Sequence, residues 1–385
     1  MLALTARALY TPLARVDRPL VLIEGETILR LESQAQSDLP VQARTVDFGD
    51  CILAPGFVDI HIHGAAGIDL MQADGTGLKK IEKFLAAHGV TSYCPTTVTA
   101  PVDTTLRVLE RLAGRMESRE DASEPGAQPI GIHLEGPFLS HSRRGVHPRK
   151  DLLSPAISTF DRFWEAARGH ISLLTIAPEL EGALELIVEA RKRGVVVSLG
   201  HSDADLEQTR AAVAVGARHA THTFNAMRPL DHRAPGILGE VLSNPLLTAD
   251  LIADGIHVHP AIVRLFLEAK GAERAVLITD ALAAAGMPDG RYWLGELEIE
   301  VKEGRCLHQG TLAGSVLTLD RALRNIMNFA QWTLERSLPA ATLNPARVVG
   351  LESKGSIQAG AGADLVALSP AGEVLSTMTK GMFVQ

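Results

Sequence analysis

Apolar positions along the chain fall into three textures. Residues 1–54 alternate short apolar runs with turn signals. Leu20-Val21-Leu22-Ile23 meets Glu24-Gly25, and Thr27-Ile28-Leu29 and Cys51-Ile52-Leu53 follow. Such runs predict small antiparallel strands. Pro55-Gly56 breaks the pattern. Beyond it, apolar runs alternate with amphipathic stretches. Strands are predicted over 57–63, 91–98, 129–135, 171–178, 195–200, 218–223, 247–253 and 275–280. Helices are predicted over 77–88, where Leu78, Ile81, Phe84 and Leu85 share a face, and over 181–193 and 205–215. Eight strands with helices between them predict an α/β fold, a (β/α)8 TIM barrel. After Asp280 a Gly/Ala-rich loop leads to short strands near Tyr292-Trp293-Leu294 and a helical stretch at 316–330. The tail, 355–385, returns to short strands with turn signals at Gly355, Gly360, Gly362 and Gly372. Head and tail share a texture. They are expected to pair into a small discontinuous β-sandwich domain, 1–54 with 345–385, flanking a barrel of 55–344. The stretch 117–128, with several acids and Pro125-Gly126, is expected to be an exposed loop.

Composition narrows the function classes. The 385 residues are 46% hydrophobic and 21% charged, enough to bury a large core. A formal net charge of −8 leaves no basic field for nucleic acid, although a local pocket for one phosphate is compatible with it. No uncharged apolar run is long enough for a membrane span. Arg7, Arg15, Asp17 and Arg18 interrupt the apolar start, which does not resemble a signal peptide. Cys51, Cys94 and Cys306 are scattered, with no CxxC, and predict reduced thiols in a cytoplasmic protein.

The strand ends carry the candidate chemistry. Strand one ends in His61-Ile62-His63, and alternation puts both imidazoles on one face, where they can share a metal. Strand three ends in His133-Leu134-Glu135, strand five in Leu199-Gly200-His201, strand six in Thr221-His222 and strand eight in Asp280. Such folds collect catalytic groups at the C-terminal ends of their strands. Three nitrogen or oxygen ligands leave an open position for water, and a nearby carboxylate can take its proton.

These residues lie in longer motifs: Pro55-Gly56-Phe57-Val58-Asp59-Ile60-His61-Ile62-His63-Gly64, His133-Leu134-Glu135-Gly136-Pro137-Phe138, Gly200-His201-Ser202-Asp203-Ala204, Thr221-His222-Thr223-Phe224-Asn225-Ala226-Met227, Ala253-Asp254-Gly255-Ile256-His257, Thr279-Asp280-Ala281 and Leu312-Ala313-Gly314-Ser315. Together they resemble the amidohydrolase superfamily and, within it, the N-acetylglucosamine-6-phosphate deacetylase family. The likeness runs nearly end to end. It implies that Glu135, His201 and His222 hold the main divalent metal and that Asp280 is general base, then general acid. It implies that Val146 and His147 contact the substrate, with His147 polarising the amide carbonyl. Asn225 and Ala226 would meet the substrate's phosphate, His257 the sugar or its phosphate, and Leu312 the acetyl group. Arg233 would reach the phosphate in a neighbouring subunit's site, which implies a homodimer. Some members replace both histidines of the HxH and use one metal. Here both are present, so a second ion at His61 and His63, bridged by Glu135, is expected. Zinc or iron suits such ligands.

Other readings make different demands. A cyclic-amide hydrolase of the superfamily usually carries a carboxylated lysine at the end of strand four, where this chain has Thr175-Ile176-Ala177-Pro178-Glu179. A non-enzymatic binding protein would have lost ligands, and none is missing. Deacetylation of the galactosamine epimer stays open. His133, His219 and His259 are expected to be structural, and Arg143 and Arg144 to be solvated loop charges.

Overall fold

The computed structural model describes residues 1–36, 42–118, 124–351 and 353–384. Each of the eight predicted runs contains a strand: β1 Phe57–Ile62, β2 Val90–Thr97, β3 Ile132–Glu135, β4 Ile171–Ile176, β5 Val196–Leu199, β6 His219–Ala220, β7 Ala249–Ile252 and β8 Ala275–Ile278. They are buried almost throughout, as near-continuous apolar runs in a parallel sheet must be. The first six pair in parallel, in sequence order. The last two form a parallel pair of their own. Backbone bonds join the two sets on both sides. Ala220 N–H donates to Thr248 O at 3.1 Å and Thr223 N–H to Asp250 O at 2.9 Å. Asp280 N–H donates to His61 O at 2.9 Å, and His63 N–H to Ala281 O at 2.8 Å. The result is an α/β fold whose parallel strands bring their C-terminal ends together.

Seven of the eight strands are shorter than their predicted runs, and for β3 and β6 the backbone shows why. Strand β3 starts at Ile132 because Gly131 has φ +154°, and a Cβ there would lie 2.0 Å from Ser172 Oγ. Strand β6 stops at Ala220 because the chain turns through left-handed conformations at His222 and Phe224.

Helices cover the strands. Helix α1, Gly75–Ala87, starts where Asp74 Oδ1 accepts from Gly77 N–H at 2.7 Å, and it buries Leu78, Ile81 and Leu85. Helix α2 is Val102–Glu117, α3 Ile157–Ala166 and α4 Ala183–Lys192. Helix α5, Leu206–Val215, opens on a capping box of Asp205 and Gln208. Helices α6, Gly236–Ser243, α7, Pro260–Arg274, and α8, Leu319–Ala330, follow. Residues 119–123 of the expected 117–128 loop lie outside the described residues. Gly126 and Ala127 are buried rather than exposed, because their N–H groups donate to Thr379 Oγ1 and Glu82 O.

Head and tail share one six-stranded sheet, in which Ile52–Pro55 pairs antiparallel with Leu365–Leu368. A second sheet of four strands lies wholly in the head. Leu4, Leu9, Val21, Ile23, Leu53, Ile357 and Leu365 form one apolar cluster between them. The expected boundary at 344/345 falls inside a helix, Leu343–Val348. Asn344 ties that helix to α7 and β8 by donating to the carbonyls of Ala272 and Ala275, at 2.7 and 2.8 Å. Between β8 and α8 the chain makes a four-stranded antiparallel sheet, from Gly290–Leu294 to Thr311–Leu312.

Candidate metal and active site

Six side chains from five strand ends converge. Glu135 sits at their centre, buried at the end of β3. Its two oxygens face different partners. Oε1 lies 3.0 Å from His222 Nε2 and 3.3 Å from His201 Nε2, and those two nitrogens are 3.1 Å apart. Oε2 lies 3.1 Å from His63 Nε2 and 3.4 Å from His61 Nε2, themselves 3.1 Å apart. Asp280 Oδ1 closes the second set at 3.3 Å from His63 and 3.6 Å from His61.

These spacings fit divalent cations. Tetrahedral ligands about 2.0–2.2 Å from an ion lie roughly 3.3–3.6 Å from one another. Two neutral imidazoles that meet Nε2 to Nε2 at 3.1 Å need a proton or a cation between them. The outer nitrogens agree for two of the four rings. His201 Nδ1 faces Arg143 O at 2.9 Å and His63 Nδ1 faces Thr96 O at 3.2 Å, which places the proton on Nδ1 and the lone pair on Nε2. His61 Nδ1 and His222 Nδ1 are buried without a hydrogen-bond partner among the described residues.

Without a bound ion, crowding sets the titration of the site, and an ion would displace the protons held at Nε2. Burial opposes charge on His63, but bonds to Asp280 and Glu135 outweigh it and push the imidazole up to about 10. Burial is outweighed in the same way at His222, where Glu135 lifts the ring to about 9. At His201 burial prevails and holds the ring near 4. Burial would raise the Asp280 carboxyl, yet the charge of His61 and the bond to His63 hold it at about 2. Asp280 is therefore a carboxylate, able to accept a proton.

The backbone bends to present these groups. His201, His222 and Asp280 have φ of 49°, 29° and 48°, in the left-handed region that non-glycine residues avoid. Strain of this kind collects at functional sites. Buried acids hold the turns. Asp59 Oδ2 accepts from Thr279 Oγ1 at 2.6 Å, and its Oδ1 accepts from His61 N–H at 3.3 Å, so it ties β1 to β8. Burial pushes its carboxyl up to about 6 against the bond from Thr279. Asp250 accepts from the His222 N–H and faces His219 Nε2 at 3.0 Å.

A cavity of about 330 Å³ opens over this cluster. Val146, His147, Asn225, Ala226, His257 and Leu312 all line it. His147 Nδ1 accepts from Thr99 N–H at 3.3 Å, which leaves its proton on Nε2. That Nε2 is 3.6 Å from Glu135 Oε2. His147, Glu135 and His201 have donor atoms within 4.8 Å of one another, but a ring protonated on Nε2 offers no lone pair there to a metal. His222 makes the tighter set, at 3.0 and 3.1 Å. His257 Nδ1 is held by Asp254 Oδ2 at 2.7 Å.

Arg233 is exposed and is not among the residues that line this chain's cavity. The family model of the amidohydrolases matches residues 52–384. This chain belongs to the amidohydrolase family. Among the family's curated members, the N-acetylglucosamine-6-phosphate deacetylase of Vibrio furnissii is 37% identical over 98% of this chain and 93% of its own. The N-acetylgalactosamine-6-phosphate deacetylase of Escherichia coli O157:H7 is 38% identical, over 95% and 94%. A mutant N-acetyl-D-glucosamine-6-phosphate deacetylase of Mycobacterium smegmatis, solved in complex with N-acetyl-D-glucosamine-6-phosphate, superposes with a TM-score of 0.93. It is 35% identical and the match covers 100% and 99%.

Against this amidohydrolase frame, the expected structural histidines are engaged. His133 Nε2 meets Thr175 Oγ1 at 2.8 Å, His219 lies between Thr248 and Asp250, and His259 caps α7 through Ala261 N–H. Arg143 and Arg144 are not simply solvated loop charges, because their loop folds onto the segment after β5. Arg143 Nε donates to Asp203 Oδ1 at 2.8 Å, and Arg144 Nη1 to His147 O at 2.8 Å. Sequence reasoning missed Asp59, Asp250, Asp203 and Thr99. Asp59 had a signal: it shares a face with His61 and His63 in an otherwise apolar run.

Proposed function

We propose that this chain hydrolyses N-acetyl-D-glucosamine 6-phosphate to D-glucosamine 6-phosphate and acetate, a step of amino-sugar catabolism. The observation that carries this is Glu135 shared between two donor sets, with the Asp280 carboxylate at their edge and a sugar-sized cavity above. Glu135, His201 and His222 would hold one divalent ion, and His61, His63 and Asp280, with the other oxygen of Glu135, a second. When bound, such ions polarise the amide carbonyl and make the attacking water more acidic. Asp280 takes the proton from that water as its oxygen bonds to the carbonyl carbon. The His147 Nε2–H donates to the carbonyl oxygen as negative charge builds there. Asp280 then returns the proton to the nitrogen as the C–N bond breaks, so amine and acetate leave. Asn225, Ala226 and His257 would hold the phosphorylated sugar, with Val146 and Leu312 against it. Zinc or iron is the ion that these ligands suit.

The strands are read as a closed (β/α)8 barrel from residue 55 through the helix Leu343–Val348, carried by a small β-sandwich domain of 1–54 and the tail that follows that helix. The exposure of Arg233 supports a homodimer in which it reaches the neighbouring site. Cys51, Cys94 and Cys306 are free thiols, which supports a cytoplasmic location. Among the described residues, no helix is long and apolar enough to cross a membrane.

A second reading, the galactosamine epimer, is favoured by the Escherichia coli relative. The cyclic-amide reading finds no support, since no lysine among the described residues lines the cavity. Acetate release from a panel of N-acetylhexosamine 6-phosphates by metal-loaded protein tests the choice. The proposal expects the glucosamine compound to have the highest kcat/KM. A higher value for the galactosamine compound would transfer the assignment to the epimer.

A further inference from the structure

Asp203 stands just outside the catalytic cluster, and neither family likeness nor the reaction above gives it a role. It follows His201 by two residues. Its backbone is pinned: Asp203 N–H donates to Glu179 Oε1 at 2.6 Å, and the neighbouring Ser202 Oγ donates to Glu179 Oε2 at 2.7 Å. Its carboxylate is a fork between two arginines from different loops. Oδ1 accepts from Arg143 Nε at 2.8 Å, and Oδ2 from Arg228 Nη2 at 3.3 Å.

Each arginine leads to a different part of the site. Arg143 belongs to the loop 140–147, whose end carries His147. The carbonyl of Arg143 is the acceptor for His201 Nδ1–H, at 2.9 Å. The loop also holds its place through Ser140 N–H to His201 O at 2.9 Å. The His147 ring packs edge-on against the His201 ring, with centroids 4.6 Å apart. Arg228 belongs to the turn that carries Asn225 and Ala226. That turn lies along Ser202, which donates to Ala226 O at 3.0 Å and accepts from Arg228 N–H at 2.9 Å.

We infer that Asp203 is a positioning residue that fastens the loop behind His201 and the turn that holds the substrate to one rigid segment. This rests on the proposed function, in which His201 is a metal ligand and Asn225 and Ala226 meet the phosphorylated sugar. Through Arg143, Asp203 fixes the carbonyl that selects the Nδ1–H tautomer of His201 and so aims its Nε2 lone pair. Through Arg228, it sets the distance from the metal ligands to the remote phosphate. Binding energy at the phosphate is useful to the reaction only if that distance is held. Each member of the trio has a side chain about one-third exposed, so these ion pairs contribute little to global stability. Their effect belongs in ligand orientation, and partners behind a metal ligand typically change metal affinity about 10–100-fold.

The test is a zinc titration of the chelator-stripped protein against a chromophoric competitor, with an unfolding midpoint for each variant. His201→Ala should weaken zinc binding and so fix the scale. Asp203→Ala and Arg143→Ala should weaken it about 10–100-fold with little change in midpoint. Asp203→Asn, which keeps the shape and one acceptor, should fall between and serves if the alanine variant fails to fold. Arg228→Ala should keep wild-type zinc affinity and raise KM for the phosphorylated sugar more than it lowers kcat. If His201→Ala is weak but both Asp203 variants and Arg143→Ala bind zinc as the wild type does, the positioning role is wrong and the function stands. If His201→Ala itself binds zinc normally, the ligand assignment fails and the inference falls with it. An unchanged KM in Arg228→Ala would overturn the second arm.

Discussion

Glu135 serves both donor sets because its two oxygens diverge, Oε1 toward His201 and His222 and Oε2 toward His61 and His63. The sets therefore differ in what a substitution removes. A His61→Ala/His63→Ala double variant should bind one divalent ion per chain where the wild type binds two, measured by elemental analysis after saturation and desalting. Retention of two would remove the second site and leave the first intact. Histidine spacing made this cluster legible, since alternation alone puts His61 and His63 on one face. The acids that hold its turns were not legible. Asp250 and Asp203 find their partners only after β7, which carries Asp250, is set beside β6 and the 140–147 loop beside Asp203, and no local pattern records that. Asp59 was the exception, an acid alternating with two histidines inside an apolar strand.

At the scale of elements, the strands were readable because burial on both faces demands long apolar runs, and the eight runs fulfilled that demand. Their ends were not, because left-handed residues such as His222 end a strand without any glycine or proline to announce it. The antiparallel sheet of 290–312 was read only at Tyr292-Trp293-Leu294, although Leu297–Lys302 alternates apolar and charged residues as a half-buried strand does; Arg305–His308 and Thr311–Leu312 are too short to show a period. Helix contacts lead to a second prediction. Asp320, in the first turn of α8, lies 3.2 Å from His88 Nδ1 at the end of α1 and 2.9 Å from Arg324 Nη1. Burial pushes the Asp320 carboxyl up, but His88, Thr318 and Arg324 outweigh it and hold it at about 2. Its ordinary value is 3.8. A carboxyl lowered in the folded state stabilises above the unfolded value, and that stability is lost as pH falls from about 4 to about 2. The difference corresponds to about 2 kcal/mol. Asp320→Asn should thus be less stable than wild type by about that amount at pH 6 in chemical unfolding of metal-free protein. The gap should narrow below pH 4. A gap that does not vary with pH would show that the ion pairs contribute nothing.

At the scale of the whole molecule, head and tail meet in one sheet, a pairing foreshadowed by their common texture. Assembly is the level the chain discloses least, because Arg233 is exposed and has no counterpart in its own cavity. A charge-assisted bond to phosphate contributes roughly 1.5–3 kcal/mol. Arg233→Ala should lower kcat/KM for the phosphorylated sugar about ten- to a hundredfold and hardly affect the unphosphorylated one. Heterodimers of Arg233→Ala with Asp280→Asn subunits should regain activity, since one of their sites keeps both residues. Heterodimers that form without regained activity would return Arg233 to its own subunit or to no site. The proposed reaction depends on Asp280 moving the proton in acetyl hydrolysis, and one measurement reaches that claim. It is acetate release from N-acetylglucosamine 6-phosphate by metal-saturated wild type and Asp280→Asn, with substrate binding measured on both. The wild type should release one acetate per glucosamine 6-phosphate formed. The variant should bind substrate yet turn over about 10²–10⁴-fold more slowly or worse. Near-normal turnover by Asp280→Asn, or no acetate from a folded, metal-saturated wild type, would contradict it.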